Sequence, residues 1–222
     1  MRRAALIAPL AAIAVLAGCG GGGGSSSSSD AQLLHPSKLN AKAPQLYTVQ
    51  VVTTKGDFTI DVHRTWAPNA ADRFYNLVKG GFFSDVKFFR VVPNFVVQFG
   101  ISGDPKVSAA WKNATIPDDQ PTVPNNRGAV TFASAGPNTR TTQIFINLVN
   151  NTQLSGQGFA PFGDVVTGMD VVDRLYSGYS DQPTSHQSEM MTEGNAWLDK
   201  HYPKLDSIKS MKVTHESNPA LP

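Results

Sequence analysis

Cysteine is almost absent from this sequence: Cys19 is the single cysteine among 222 residues. A chain processed at that position would carry no other thiol. Such a chain needs no disulfide framework, and it has no internal thiol for catalysis or metal binding. The absence therefore directs attention to functions that use neither disulfide nor thiolate chemistry.

Common catalytic and metal-binding motifs are also missing. The five histidines lack metal-ligand spacing, and no cluster of cysteines or carboxylates completes a site. Residues 100–103, GISG, miss the nucleophile elbow of hydrolases by one residue. Residues 156–158, GQG, lack the third glycine of a dinucleotide fingerprint, because Pro161 stands there. We expect no metal and no cofactor, and hydrolase and nucleotide-binding functions lose their best support.

Charge of one sign is not in excess. The chain has 19 Lys+Arg and 17 Asp+Glu, and removal of residues 1–18 would take away Arg2 and Arg3 but no acid, leaving 17 of each. We find no basic stripe along the chain. The balance argues against nucleic acid as a partner.

A long apolar run is missing too, because the run over residues 4–17 is shorter than the ~20 residues that span a bilayer. With Arg2 and Arg3 before it, this run has the form of a secretory signal. Residues 16–19, LAGC, resemble the bacterial lipobox, in which the cysteine is lipidated and becomes the first mature residue. The alternative is an incidental small residue at a cleavage site. The lipobox interpretation implies lipidation of Cys19 and a domain on the extracytoplasmic side of a membrane in the bacterial cell envelope.

Residues 20–29 read GGGGGSSSSS and cannot pack into a core, so they predict a flexible tether. The irregular stretch of residues 20–46 would have a root-mean-square reach of about 30 Å as a random coil. The predicted organisation is a signal peptide (1–18), a lipidated cysteine with its tether (19–46), one folded domain (47–216) and a short tail (217–222).

Period-two alternation of apolar and polar residues over 47–52 and 58–63, with a turn at 54–57, predicts a β-hairpin. Pro68 opens a predicted helix that ends at the glycine pair 80–81. Further strands are predicted at 88–99 with an interruption at Pro93-Asn94, 128–134, 142–148, 160–165 and 209–215, and short helices at 169–176 and 192–201. Many short strands with two or three helices indicate a mainly β fold with a closed or strongly curved antiparallel sheet.

Three ordered blocks mix apolar and polar residues: FRVVPNFVVQ (89–98), AGPNT with QIFI (135–139 and 143–146) and FG (162–163). In a core strand, Arg90 would be a costly unpaired charge. Together the blocks resemble the cyclophilins, the cyclosporin-type peptidyl-prolyl cis/trans isomerases, and the resemblance extends over about residues 47–213. It implies a closed, eight-stranded antiparallel β-barrel capped by two or three helices, isomerase activity without a cofactor, and a monomer that binds proline-containing peptide segments.

The resemblance also implies residue roles. Arg90 falls on the family's catalytic arginine, and we group Phe95 and Gln98 with it as catalytic residues. The proline pocket would be walled by Phe95, Val96, Phe145 and Leu154, with Gln98 and Gln143 on its polar side and Ala133 and Ser134 on the edge that pairs with the substrate backbone. A position that is usually histidine falls on Phe159 or Ala160, because this loop has one extra residue.

The chemistry explains why these residue types belong together. Rotation about an Xaa-Pro bond has a barrier of roughly 18–20 kcal/mol, because twisting breaks amide resonance. The twisted prolyl nitrogen regains a lone pair that can accept a hydrogen bond from an arginine, which stays protonated. Apolar walls would anchor the proline ring and exclude water. Lowering the barrier by ~7 kcal/mol would speed exchange by ~10⁵.

The chain departs from the family pattern at four places. Gln153 stands where many cyclophilins have an aromatic residue that contacts cyclosporin, and RTT (140–142) replaces a more usual Asn-Gly-Ser type of turn. Residues 104–127 are predicted to be a long loop, and residues 189–205 a helical insertion or cap.

Three functional hypotheses follow. The first is a membrane-tethered isomerase that assists the folding of exported proteins. The second is a module that binds proline-containing partners in the same groove without significant turnover. The third is a structural lipoprotein that has lost catalysis, and the joint presence of Arg90, Phe95, Gln98 and Phe145 argues against it.

Overall fold

The predicted β-hairpin opens the sheet. In the computed structural model, which describes residues 31–218, β1 (Leu46–Thr53) pairs antiparallel with β2 (Gly56–His63). Thr53 faces Gly56 across a turn of two residues, Thr54 and Lys55. Alternate residues of both strands are buried, as the period-two pattern requires. The buried positions are Tyr47, Val49, Val51, Phe58, Ile60 and Val62.

Eight antiparallel strands of the described chain form one sheet, which confirms the mainly β prediction. The other six strands are β3 (Arg90–Val91), β4 (Val96–Phe99), β5 (Ala129–Phe132), β6 (Ile144–Asn147), β7 (Pro161–Thr167) and β8 (Ile208–Ser217). Their order across the sheet is β3-β4-β6-β5-β7-β2-β1-β8. The predicted interruption at Pro93-Asn94 separates β3 from β4, and the two strands pair as a hairpin.

The expected closure of this sheet into a complete barrel is not confirmed. In the described ladder, β3 and β8 are edge strands that do not pair with each other, and the sheet is a curled, open half-barrel. The two edges approach just before these strands, where the Phe88 N–H donates to the Asp206 carbonyl over 3.0 Å. The next backbone donor of β3, the Val91 N–H, bonds to the Ser180 carbonyl over 3.2 Å. A loop therefore satisfies the edge of β3 where β8 would stand in a closed barrel.

The helices outnumber the two or three that the sequence led us to expect. The long helix α1 (Pro68–Lys79) is confirmed, and it packs Ala71, Phe74 and Leu77 into the core beneath the sheet. The shorter helices of the described chain are α2 (Pro105–Trp111), α3 (Gln153–Gly156), α4 (Met169–Asp173), α5 (Gln187–Glu193) and α6 (Asn195–His201), with 3-10 turns at Pro36–Lys38 and Gln182–His186.

The stretch predicted as a loop at 104–127 contains α2. Asp104 caps this helix by accepting from the Lys106 N–H over 2.8 Å, and Pro105 occupies its first turn. Val107 and Trp111, four residues apart, are buried on one face. The sequence signals for a helix were present, but the surrounding Pro, Asp and Asn residues obscured them.

Residues 177–205, which we call the cap segment, pack on the sheet as a separate layer. The predicted helix at 192–201 is in fact two helices, α5 and α6, joined at Gly194. A Cβ at Gly194 would lie 2.1 Å from the Gly103 carbonyl oxygen, so glycine is required for this close approach. A small apolar cluster holds the layer in place: Phe89, Ile101, Met190, Leu198 and Leu205.

The packed part of the chain begins well before residue 47, where we placed the domain boundary. Leu33, Leu39 and Ala43 are buried in the main core, and the Trp111 Nε1–H donates to the Leu33 carbonyl over 2.8 Å. Cys19 and the glycine-serine tract lie outside the described residues. Across residues 31–218 we find no helix that is both long and apolar enough to span a membrane.

Candidate active site

Strand register brings the predicted catalytic residues onto one face. Arg90 of β3 pairs with Gln98 of β4, Gln98 pairs with Phe145 of β6, and Phe145 pairs with Thr131 of β5. Residues directly opposite each other across a sheet point to the same side. Because Val97 and Phe99 point to the core, Gln98 must point to the opposite face.

A chain of hydrogen bonds leads away from the arginine. Arg90 donates from Nη1 to Gln98 Oε1 over 3.1 Å. Gln98 donates from Nε2 to Gln143 Oε1 over 2.9 Å, and Gln143 donates from Nε2 to Gln187 Oε1 over 2.9 Å. We call these four side chains the relay. Gln98 thus steadies the arginine, and Gln143 steadies Gln98.

The guanidinium of Arg90 has N–H groups that make no hydrogen bond. Its Nε is buried and has no hydrogen-bond partner, and its central carbon lies 5.5 Å from the ring centre of Phe95, within cation–π range. Among residues 31–218, no carboxylate forms an ion pair with it. A half-buried cation with one amide acceptor retains donors for a ligand.

An apolar wall faces the arginine across a cavity of about 350 Å³. Val96, Phe145 and Leu154 form a buried cluster. The rings of Phe145 and Phe159 meet edge to face, with centres 5.7 Å apart. The cavity is lined by Arg90, Phe95, Val96, Gln98, Ala133, Ser134, Phe145, Leu154, Phe159, Thr184 and Gln187. One polar side opposite one apolar side suits a small apolar ring attached to a polar backbone.

A buried network of asparagines lies beneath the apolar wall. Asn151 donates from Nδ2 to the Phe95 carbonyl and to Asn147 Oδ1, each over 3.0 Å. Asn125 donates from Nδ2 to the Phe159 carbonyl over 2.8 Å and is linked to Asn147 over 3.2 Å. The network therefore fixes the backbone of the two partly buried aromatic residues of the cavity.

The departure from the usual turn at residues 140–142 has a structural consequence. Arg140 points inward and is only 4% exposed. It donates from Nε to Asp118 Oδ1 and from Nη1 to Asp119 Oδ2, both over 3.1 Å. Asp119 also accepts from the N–H groups of Asn69 and Ala70 at the start of α1, each over 3.0 Å. This ion cluster ties residues 112–127 to the loop that follows Ala133 and Ser134.

A larger cavity, of about 650 Å³, lies elsewhere, between residues 36–41, α1 and residues 110–116. Arg73 stands in it and donates from Nη1 to the carbonyls of Ala114 and Thr141, over 2.6 and 2.8 Å. Burial lowers the pKa of Arg73 to about 10. None of the predicted site residues lines this cavity, and its arginine is engaged by backbone. The smaller cavity is therefore the candidate active site.

Nine of the ten predicted side chains line the smaller cavity, and Gln143 stands behind Gln98 in the relay. Of the two residues on which the usual histidine position falls, Phe159 lines the cavity, whereas Ala160 is buried in the core. Sequence reasoning missed Thr184 and Gln187. Both belong to the cap segment, which has no motif to mark them. No group of three or more potential metal ligands occurs among residues 31–218.

Known proteins match this chain over most of its folded part. A family model described as "Cyclophilin type peptidyl-prolyl cis-trans isomerase/CLD" matches residues 48–195. A peptidyl-prolyl cis-trans isomerase of Acinetobacter baylyi is 33% identical over 133 residues, covering 57% of this chain and 70% of the relative. Peptidyl-prolyl cis-trans isomerase B of Escherichia coli is 30% identical over 143 residues, covering 61% of this chain and 87% of the relative.

Solved structures agree on the fold. A cyclophilin-type isomerase of Cryptosporidium parvum has a TM-score of 0.57 at 21% identity and covers 78% of this chain and 99% of its own. The family model matches residues 48–195, which is most of the chain, and both bacterial relatives are named peptidyl-prolyl cis-trans isomerases. The chain therefore belongs to the cyclophilin-type peptidyl-prolyl cis/trans isomerases, enzymes that accelerate rotation about Xaa-Pro bonds.

Proposed function

We propose that Arg90 carries the catalysis by donating a hydrogen bond to the prolyl nitrogen of the twisted substrate. The planar amide nitrogen offers almost no lone pair, so this bond favours the transition state over the ground state. The observation that supports this role is an arginine that lines the cavity, has no carboxylate partner among the described residues and uses only Nη1 in a hydrogen bond. The arginine transfers no proton in this mechanism.

The apolar wall is proposed to hold the proline ring. Phe95, Val96, Phe145 and Leu154 bury the ring and anchor one end of the bond while the other end turns. Phe159 closes the wall against Phe145. The exclusion of water by these side chains would strengthen the hydrogen bond from Arg90.

The polar rim is proposed to orient the peptide backbone. Ala133 and Ser134 follow β5 and line the cavity, so an extended peptide can run along this edge. Gln98 and Gln143 orient the arginine through the relay. A solved structural neighbour is described in the presence of the dipeptide Ala-Pro, and this supports proline-containing peptides as the ligand class.

The rate of cis/trans exchange in a proline peptide, with and without the purified protein, tests this assignment. We expect clear acceleration by the parent protein. The Arg90→Ala variant should accelerate exchange about 10²–10³-fold less than the parent protein, which is the effect of removing one hydrogen-bond donor to a transition state. A parent protein that binds the peptide but leaves its exchange rate unchanged would favour the binding-module alternative.

We further propose that the enzyme is a lipoprotein of the bacterial cell envelope, anchored by lipid at Cys19 and acting as a monomer on exported proteins. The support is the sequence alone: a basic start, a short apolar run and LAGC in succession. A tether of ten glycines and serines would let the domain reach unfolded chains away from the membrane surface.

Membrane fractionation of the Cys19→Ala variant tests the anchor. We expect this variant to leave the membrane fraction, whereas Ser25→Ala in the tether should not alter the distribution. Unchanged fractionation of Cys19→Ala would refute lipid anchoring at this residue.

A further inference from the structure

The last side chain of the relay lies on the cap segment, outside the three sequence blocks that resemble the family. Gln187, the first residue of α5, accepts the hydrogen bond from Gln143 and also lines the cavity. We propose that Gln187 is a positioning residue for Arg90, which makes the cap segment part of the catalytic apparatus. This proposal rests on the catalytic role proposed for Arg90.

The direction of the hydrogen bonds carries the argument. A glutamine amide has a donor end and an acceptor end, so its orientation in a chain is fixed by its neighbours. Arg90 can only donate, and therefore Gln98 must turn its oxygen toward the arginine and its NH₂ group toward Gln143. Gln143 must then turn its NH₂ group outward, and Gln187 supplies the oxygen that accepts it. The acceptor at position 187 thus completes the orientation that Arg90 imposes, because it accepts the last donor of the relay.

Removing that acceptor would leave the NH₂ group of Gln143 without its protein partner and weaken this restraint. The amide of Gln143 could rotate and present its NH₂ group to the NH₂ group of Gln98. Gln98 could then rotate and present donors to Arg90, which has no acceptor to offer. Arg90 would spend part of its time turned away from the position required for catalysis.

The cap segment is anchored firmly enough to hold Gln187 in place. Met190, three residues on, is fully buried against Phe89, the neighbour of Arg90 in sequence. The Val91 N–H of β3 is bonded to the Ser180 carbonyl, and the Asn195 N–H to the Gly103 carbonyl over 3.1 Å. The segment is therefore attached to the strand that carries the arginine on one side and to the start of α2 on the other.

The test compares Gln187→Leu, which keeps the size but removes the acceptor, with Gln187→Glu, which keeps an acceptor only. The exposed neighbour Ser188 provides the control variant Ser188→Ala. In the full-length protein, Gln187→Leu should lower kcat for proline-peptide isomerisation about three- to tenfold, the scale of one hydrogen bond, with little change in KM. Gln187→Glu and Ser188→Ala should retain kcat.

Two further variants separate the failure of this proposal from failure of the proposed function. If Arg90→Ala keeps its rate, the role of Arg90 is wrong. If Arg90→Ala loses its rate but Gln187→Leu keeps a normal kcat, only the positioning role is wrong. The double variant should be no slower than Arg90→Ala alone, because both changes act through one group. Equal losses in Gln187→Leu and Gln187→Glu, a change in KM alone, or an additive double variant would overturn the proposal.

Discussion

Two arginines, Arg90 and Arg140, differ in their electrostatic surroundings. Arg140 is 4% exposed and is neutralised by Asp118 and Asp119, with a further bond to the Pro117 carbonyl. Arg90 has a single side-chain acceptor, Gln98, which carries no charge. A paired cation holds structure together, whereas a cation left with spare donors beside a cavity is available to a ligand. The difference in partners accompanies a difference in burial, and together they separate the structural arginine from the functional one.

The largest effect on stability is expected from Arg140→Ala. This change would leave Asp119 buried without its cation, and breaking a buried pair in this way costs about 3–5 kcal/mol. Urea unfolding measures the loss, and isomerisation per folded molecule should fall much less. Arg174→Ala is the matched control, because its ion pair with Asp170 is exposed and should contribute little to stability. A loss for Arg140→Ala as small as that of the control would contradict the structural role.

The substitution Gln98→Glu would give Arg90 a carboxylate partner, as Arg140 already has. A carboxylate at this position pairs with the guanidinium in the ground state, and a charge-assisted hydrogen bond is stronger than a neutral one by about 1–2 kcal/mol. We expect kcat/KM for proline peptides to fall about tenfold, because the carboxylate engages the guanidinium and also removes the hydrogen-bond donor to Gln143. Gln153→Glu introduces the same charge at an exposed position outside the cavity and should leave kcat/KM unchanged. Full activity of Gln98→Glu would show that a free donor on Arg90 is not needed.

A smaller effect is expected at the asparagine network. Asn151→Ala removes the donor to the Phe95 carbonyl and leaves that oxygen and Asn147 short of a partner. The cost should be about 1–3 kcal/mol of stability, with a rise in KM because the apolar wall loosens. The neighbouring Thr152 is exposed and its side chain makes no capping hydrogen bond, so Thr152→Ala should change stability by about 0.5 kcal/mol or less. If the two variants behave alike, the network does not position the wall.

The parts of this fold that depend on local pattern could be predicted from the sequence. Period-two alternation located the first hairpin, and Pro68 and Gly80 bounded α1. The side chains of the cavity were predicted from the family resemblance, and the register of the neighbouring strands β3, β4 and β6 aligns Arg90, Gln98 and Phe145.

The parts that depend on distant contacts could not be predicted. Leu33 and Leu39 look like tether residues until Trp111 and α1 provide a surface for them. Gln187 meets Gln143 across 44 residues of sequence, and no local pattern marks a single glutamine as the end of a hydrogen-bond chain. Closure of the barrel is not confirmed for the same reason, since the Val91 N–H on the edge of β3 donates to the Ser180 carbonyl of the cap segment.

The central claim is that Arg90 serves the transition state more than it binds the ground state. Nuclear magnetic resonance on one proline-peptide sample can measure both the Kd and the exchange rate at saturation, for the parent protein and for Arg90→Ala. We predict that exchange at saturation falls about 10²–10³-fold while the Kd changes only a few-fold. A loss confined to the Kd, with exchange at saturation intact, would contradict the account.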